Sequence, residues 1–257
     1  MLYICVMKIA FVQKDNGDWL NENCYSAAQG FKALGYEVRS FERHELERLP
    51  LQKDGETILH GGINTVRATF DLLEVPQPDI HHAHLLVEFC ERNFMVSTMG
   101  QLRAGKFPFP IFIKPYVDHK LFTGLVAKDP LISIMRLGQI ENNVQILLSD
   151  VLDIVSEYRV FVRQGKIVGA KNYSGDYSLV PNFHIIEDAV KTYTREDAPA
   201  AYSLDWAVTK TGRTALIEIN DGFGLGTYGL NSMTYAKMII ARWREIMGLH
   251  LHIAELG

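Results

Sequence analysis

The stretch Tyr202–Asn220, YSLDWAVTKTGRTALIEIN, reads as two strands that place two carboxylates face to face. The strands meet at Lys210-Thr211-Gly212-Arg213, with Thr211 and Gly212 at the tip. Counting outward pairs Val208 with Ala215 and sets Asp205 directly opposite Glu218. Side chains alternate with a period of two, so Asn220 joins that face, and Leu204, Trp206, Ile217 and Ile219 anchor the other in the core. A turn of even length keeps this pairing, and an odd one breaks it. Opposed carboxylates repel. A divalent cation would offset that repulsion, and the oxygens of Asp205, Glu218 and Asn220 are hard ligands of the kind magnesium prefers. The plainer alternative is a solvated polar face.

Cations upstream suit a phosphate partner for such a metal. PIFIKP puts Lys114 at the end of a short apolar strand, where an ammonium is uncommon unless it has a partner. VDHKLFTG adds Lys120 and a Thr123-Gly124 pair whose small side chains allow close approach of backbone N–H groups to phosphate. SEYRVFVRQGKIVGAKNYSG is a second hairpin, turning at Gln164-Gly165, with Arg159, Phe161 and Arg163 on one face. Counting from that turn sets Lys171 opposite Tyr158, on the face away from Arg159, unless a bulge intervenes.

The elements that must carry these residues are legible in outline. Met7–Gln13 reads as a buried strand rather than part of a cleaved leader, Glu22–Leu34 as a helix ending at Gly35, and Glu37–Phe41 and Thr57–His60 as strands. A helix follows over Asn64–Leu73, so the first 80 residues form a small parallel α/β domain. The turn-rich EVPQPD marks a boundary, after which a helix is expected over Ala83–Phe94. Ile111–Lys114, Tyr158–Arg163, Ile167–Asn172, Leu204–Val208 and Thr214–Asn220 then read as largely antiparallel strands. The final helix shows an apolar stripe from Tyr235 to Met247 that is core packing, with Ser232 as its expected cap.

Composition excludes some classes. The 257 residues are 47% hydrophobic and 22% charged with a formal net charge of -4, so no basic field exists to drive generic nucleic-acid binding. No run of 18 apolar residues implies a membrane span, and three unrelated cysteines (Cys5, Cys24, Cys90) fit reduced thiols, so a cytoplasmic location is expected. HHAH at His81–His84 reads as a loop or helix start rather than a metal site. HGGIN at His60–Asn64 places a glycine pair before a helix, a turn able to bind an anion at the helix N-terminus, and Ser174–Ile185 reads as a mobile lid.

Taken in order, IFIKP, LLSDV, SEYRVFV, SLDWAV and ALIEINDGFGLGTYGL resemble the ATP-grasp superfamily over about Gln101–Leu230, and within it a smaller clade in which arginines replace some of the usual lysines. The resemblance implies an α/β (α+β) ATP-grasp fold: a small N-terminal parallel α/β domain over 1–80, then an ATP-grasp domain over 81–257 whose subdomains, about 81–150 and 151–257, grip ATP. It implies ATP and Mg2+ as cofactors, with Asp205, Glu218 and Asn220 holding the metal. Arg159, with Arg163 beside it, would stabilise the transferring phosphate. Lys114, Lys120 and Lys171 would bind the nucleotide, with Leu148 and Asp150 of the interdomain hinge beside adenine and ribose. The implied activity is a carboxylate–amine ligase that forms C–N bonds through an acyl-phosphate and releases ADP. Its substrates would be a small-molecule or peptide carboxylate and amine; a homodimer is one arrangement open to it. The alternatives are a non-catalytic nucleotide-binding module and a kinase-like phosphotransferase.

Overall fold

The computed structural model describes residues 8–78, 82–116, 121–129, 135, 137–196 and 198–249. In chain order the N-terminal part contains β1 (Ile9–Asp15), the short β2 (Asp18–Trp19), α1 (Glu22–Ala33), β3 (Glu37–Glu42), β4 (Thr57–His60) and α2 (Ile63–Leu72). The middle contains β5 (Phe94–Thr98), α3 (Met99–Arg103), β6 (Ile111–Pro115), β7 (Leu125–Ala127) and β8 (Gln145–Ser149). The last part contains β9 (Ile154–Arg163), β10 (Lys166–Gly175), α4 (Phe183–Arg195), β11 (Ala201–Thr209), β12 (Thr214–Asp221) and α5 (Ser232–Ile246).

Most expected elements are present, and the exceptions have local causes. The helix expected over Ala83–Phe94 is a 3-10 helix, His82–Phe89, interrupted at Leu86 (φ -117°, ψ 19°), and Phe94 opens strand β5 instead. The α5 cap is Asn231, not Ser232: its side-chain oxygen accepts from the N–H groups of Met233 and Thr234 at 3.1 and 3.2 Å. The segment expected as a lid holds the end of β10, a turn at 176–179 and the start of α4. The Asn182 side chain caps that helix through the His184 N–H.

Two compact units result. The first joins the described parts of Met1–Phe89 to Val155–Val208 and Gly212–Gly257, and the second is Cys90–Ile154 with Thr209–Thr211. In the first, β1 pairs in parallel with β3 and β4, as the strand–helix alternation requires. A second sheet, in the order β10-β9-β11-β12, is antiparallel in its two hairpins. One hydrophobic cluster runs through both, from Ala10, Phe31 and Phe70 to Phe161, Phe223 and Trp243, so residues before 80 and after 155 share a core. The second unit is the sheet β5-β8-β6-β7, packed through Met99, Leu102, Ile113, Ile146 and Leu148.

Two contacts fix the first unit. Gly30 on α1 meets α5 so closely that a Cβ there would lie 2.0 Å from the Ser232 carbonyl oxygen, while Ser26 and Ser232 share a 3.0 Å hydroxyl hydrogen bond. At the end of β4, His60 is 2% exposed, and burial alone pushes its imidazole down to about 4. Its Nε2 lies 3.5 Å from the Tyr235 hydroxyl, which donates to the Leu225 carbonyl at 2.5 Å, and its Nδ1 has no hydrogen-bond partner among the described residues.

Gly30→Ala is expected to destabilise the protein by about 1–3 kcal/mol through overpacking, although helix propensity alone favours alanine by about 1 kcal/mol; a raised melting temperature would show that α1 and α5 do not meet at Gly30. The His60 pKa is lower folded than unfolded, so the stability from keeping the ring neutral is full above about pH 6.5 and disappears as pH falls towards 4, a difference of about 3 kcal/mol. His60→Gln should flatten that part of the stability–pH profile; a variant profile parallel to wild type between pH 6.5 and 4 would contradict the burial.

Candidate active site

The carboxylate pair sits where counting from the turn puts it, by a less direct route. Near the tip the register is one residue off: Val208 pairs with Thr214 and Trp206 with Leu216. A bulge between Trp206 and Asp205 leaves Ile217 unmatched on β12 and restores Asp205 opposite Glu218, with Ser203 opposite Asn220. Asp205 is 2% exposed, whereas Glu218 is exposed and Asn220 half-buried.

Arg159 on β9 is the counter-ion. Its Nε and Nη2 donate to Asp205 Oδ1 and Oδ2 at 2.7 and 2.6 Å, a bidentate pair that is buried on both sides. Asn220 Nδ2 donates to Asp205 Oδ2 and to Glu218 Oε1, both at 3.1 Å, and so bridges the carboxylates. Burial pushes the Asp205 carboxyl above its ordinary range; Arg159 opposes that shift and Glu218 adds to it. Burial works to lower the Arg159 pKa, but the hydrogen bond and charge of Asp205 hold it above its usual value.

Lys171 requires a correction. A bulge between Ile167 and Gly169 shifts β10 by one residue, so Lys171 pairs with Arg159 and not with Tyr158. Gly169, at this bulge, meets the loop after β12 closely: a Cβ there would lie 2.5 Å from Leu230 Cδ1. The row across the sheet is therefore Lys171, Arg159, Asp205, Glu218. A second bulge between Asn172 and Ser174 leaves Tyr173 unmatched, and its ring stacks on Tyr228 with centroids 5.0 Å apart at 27°. Both rings lie by the Arg159 guanidinium, Tyr228 at 4.8 Å and Tyr173 at 6.0 Å. Tyr228 lies within the GLGTYGL stretch, which by itself implies no role for it, while Tyr173 is brought here by a bulge that no local pattern announces.

Arg163 is not in this cluster. It lies four residues along β9, next to the Gln164-Gly165 turn and opposite Lys166, roughly 13 Å from Arg159 at strand spacing. The glycine turn at Gly61-Gly62 is filled by Gln13, whose Oε1 accepts from the Gly62 N–H at 2.9 Å.

The remaining expected residues belong to the second unit. Lys114 on β6 is half-buried and pairs with Leu147, so these two share a face. Leu148 points the other way: it is 1% exposed in the core with Ile113, so its side chain cannot line a base on the Lys114 face. The Asp150 carboxylate accepts from the Asn93 backbone and side-chain N–H groups at 3.0 and 2.8 Å, which ties the end of β8 to the start of β5. Gly124 rests on Phe112, with a notional Cβ 2.7 Å from its ring. Lys120 and His81 lie outside the described residues, as do the side chains of His82 and His84.

The donor set fits a hard divalent cation. Each carboxylate oxygen has lone pairs beyond those given to Arg159 and Asn220, and the Asn220 NH2 group occupies the bridging position that a cation would take. Turning that amide over would present its oxygen instead. Among the described residues no group of three His, Cys, Asp or Glu side chains forms a metal cluster, so a cation here would rely on the amide.

Solved structures share the fold at low identity. A RimK domain ATP-grasp protein from Sphaerobacter thermophilus superposes with a TM-score of 0.61 at 12% identity, covering 91% of this chain and 98% of that one. D-alanine–D-alanine ligase from Bacillus anthracis gives 0.58 at 14%, covering 94% and 99%. N5-carboxyaminoimidazole synthetase from Staphylococcus aureus gives 0.60 at 9%, covering 95% and 78%. No curated protein sequence matches the chain. The model for the ATP-grasp domain of the R-2-K clade, family 2, matches residues 89–238 of the 257, and the chain belongs to that family.

Proposed function

We propose that the protein is an ATP- and Mg2+-dependent ligase that joins a carboxylate to an amine through an acyl-phosphate, releasing ADP as the acyl-phosphate forms and phosphate as the amine displaces it. The observation that carries this reading is the row Lys171, Arg159, Asp205, Glu218, with Asn220 bridging its two carboxylates. The solved relatives support it: the Bacillus anthracis ligase has been seen with ATP, and the ATP-grasp ligase PsnB with its minimal precursor, Mg and ADP.

Asp205, Glu218 and Asn220 would hold Mg2+, which when bound neutralises phosphate charge and orients the transfer. The chain's own residues do the rest. Arg159 offsets the burial of Asp205 by donating to both of its oxygens, so the carboxylate stands in a buried place with a matched partner. Its Nη1 makes neither of the two hydrogen bonds to Asp205 and is the atom we assign to the charge that develops on the transferred phosphoryl group. Lys171 adds a second positive charge beside it. Exposed Glu218 meets solvent, where a cation can arrive without unfolding the sheet. Lys114 is assigned a nucleotide phosphate on its place in the sequence order, and the substrates are a small-molecule or peptide carboxylate and amine. A cytoplasmic setting suits the reduced state of buried Cys24 and Cys90; among the described residues no helix is long and apolar enough to cross a membrane.

The test uses a panel of carboxylates with Mg·ATP and hydroxylamine, which captures an acyl-phosphate as a hydroxamate. Wild type should form hydroxamate and ADP together, and Glu218→Ala should lose both by about a hundredfold or more. Undiminished turnover in Glu218→Ala would remove the metal assignment, and ADP without hydroxamate for every carboxylate would remove the acyl-phosphate.

A further inference from the structure

The loop after β12 holds a residue whose backbone and side chain disagree about where it should be. Tyr228 has φ +44° and Gly229 φ +76°, and the Leu230 N–H donates to the Thr227 carbonyl at 2.8 Å. Two consecutive left-handed residues closed by that bond describe a type I′ turn, whose first central position is normally Asn, Asp or Gly. A tyrosine there is strained, because its Cβ crowds the backbone in the left-handed region. Burial of the ring does not account for it, since Tyr228 is 47% exposed.

What the turn achieves is the position of the ring. Its centroid lies 4.8 Å from the Arg159 guanidinium carbon, and the bulged Tyr173 stacks beside it, itself 6.0 Å from that carbon, and donates its hydroxyl to Glu157 at 2.8 Å. Gly226 leaves room for both: a Cβ there would lie 3.3 Å from the Tyr228 ring and 3.7 Å from Arg159 Nη1. The turn is held from outside, as the Thr227 N–H donates to the Asn23 side chain on α1 at 2.9 Å and Thr227 itself is 1% exposed. Asp205 fixes one edge of the guanidinium through Nε and Nη2. Two hydrogen bonds to one carboxylate still permit the guanidinium to rock about that edge, and a ring against its face removes the rocking.

We propose that Tyr228 is a positioning residue for Arg159: its ring, held in a strained turn and flanked by Tyr173, sets the direction of the Nη1 edge towards the terminal phosphate of the nucleotide. This rests on the reading of Arg159 as a phosphate ligand given above. It makes Tyr228 matter for a nucleotide bearing a γ-phosphate and much less for ADP.

The variants are Tyr228→Phe, which keeps the ring, and Tyr228→Asn, which creates the Asn-Gly pair that a type I′ turn favours. Dissociation constants of Mg·AMP-PNP and Mg·ADP are measured by calorimetry, with melting temperatures alongside. Tyr228→Asn should weaken AMP-PNP about tenfold, the scale of a partly desolvated cation–π contact, with ADP changed by less than about threefold. Its melting temperature should stay within about 3 °C of wild type, because relief of strain offsets the lost ring contacts. Tyr228→Phe should recover AMP-PNP affinity to within about threefold of wild type. Equal weakening of both nucleotides, or none, in Tyr228→Asn would overturn the positioning role while leaving nucleotide binding intact. Wild type that binds neither nucleotide would overturn the nucleotide reading, and this role with it.

Discussion

The ion pair between Arg159 and Asp205 is the constraint around which the second sheet is arranged. Removing a carboxylate and a guanidinium from water costs several kcal/mol for each ion, and only close, well-aligned contact offsets it. Here both Asp205 oxygens accept from Arg159 and one also accepts from Asn220. That geometry requires β9 beside β11, because the guanidinium must reach sideways across one strand spacing. It also sets the electrostatics of Glu218, which faces a carboxylate already neutralised by Arg159 and so adds uncompensated negative charge at the edge of the row. Arg159 and Asn220 thus offset, from within the chain, the repulsion that two facing carboxylates would otherwise have.

The loop from Gly222 to Leu230 links this row to residues two hundred positions away. Asn23 on α1 accepts from Thr227, Tyr235 on α5 reaches both Leu225 and His60, and a Cβ at Gly224 would lie 2.5 Å from Ile63 Cδ1. The small parallel domain is therefore packed against the site's own loop, and the shared core follows from that. Close approach at Gly30 serves the same end, since α1 carries Asn23 and must lie tightly on α5 for the bond to Thr227 to form. Residues 1–80 therefore do not stand apart from the residues after 155.

Much of this is readable in the residues. Apolar alternation and turn residues place most strands and the terminal helix, and the ordered cation and carboxylate motifs carry the resemblance to the family. What escapes is decided at long range. The bulges at Val168 and Tyr173 have no signature of their own, and the close contact beside the first, Gly169 against Leu230, joins residues some sixty positions apart. Leu148 is expected beside a base because its motif sits at the hinge, but the alternation of β8 turns it into the core and leaves Leu147 on the face of Lys114. Asn231 rather than Ser232 caps α5 because its side chain, and not the serine hydroxyl, meets the first free N–H groups, a boundary that the apolar stripe alone does not fix.

The carboxylate pair shows why some readings survive a wrong intermediate. Counting from an even turn pairs Val208 with Ala215, yet Val208 pairs with Thr214, one residue out of step. Had that register run on, the side-chain period of two would have sent Glu218 to the face opposite Asp205 and left the carboxylate against the apolar core. The extra residue at Ile217 prevents this, absorbing the error between the turn and the site. Both bulged strands thus obey the same requirement. On β12 the bulge returns Glu218 to the row, and on β10 it brings Lys171 into the row, so each irregularity moves a charged side chain onto the face of Arg159 and Asp205. Regular strands would have scattered those charges over two faces. The bulges are therefore part of the row, because they bring two cations and then two carboxylates into a single line across four strands that do not naturally keep step.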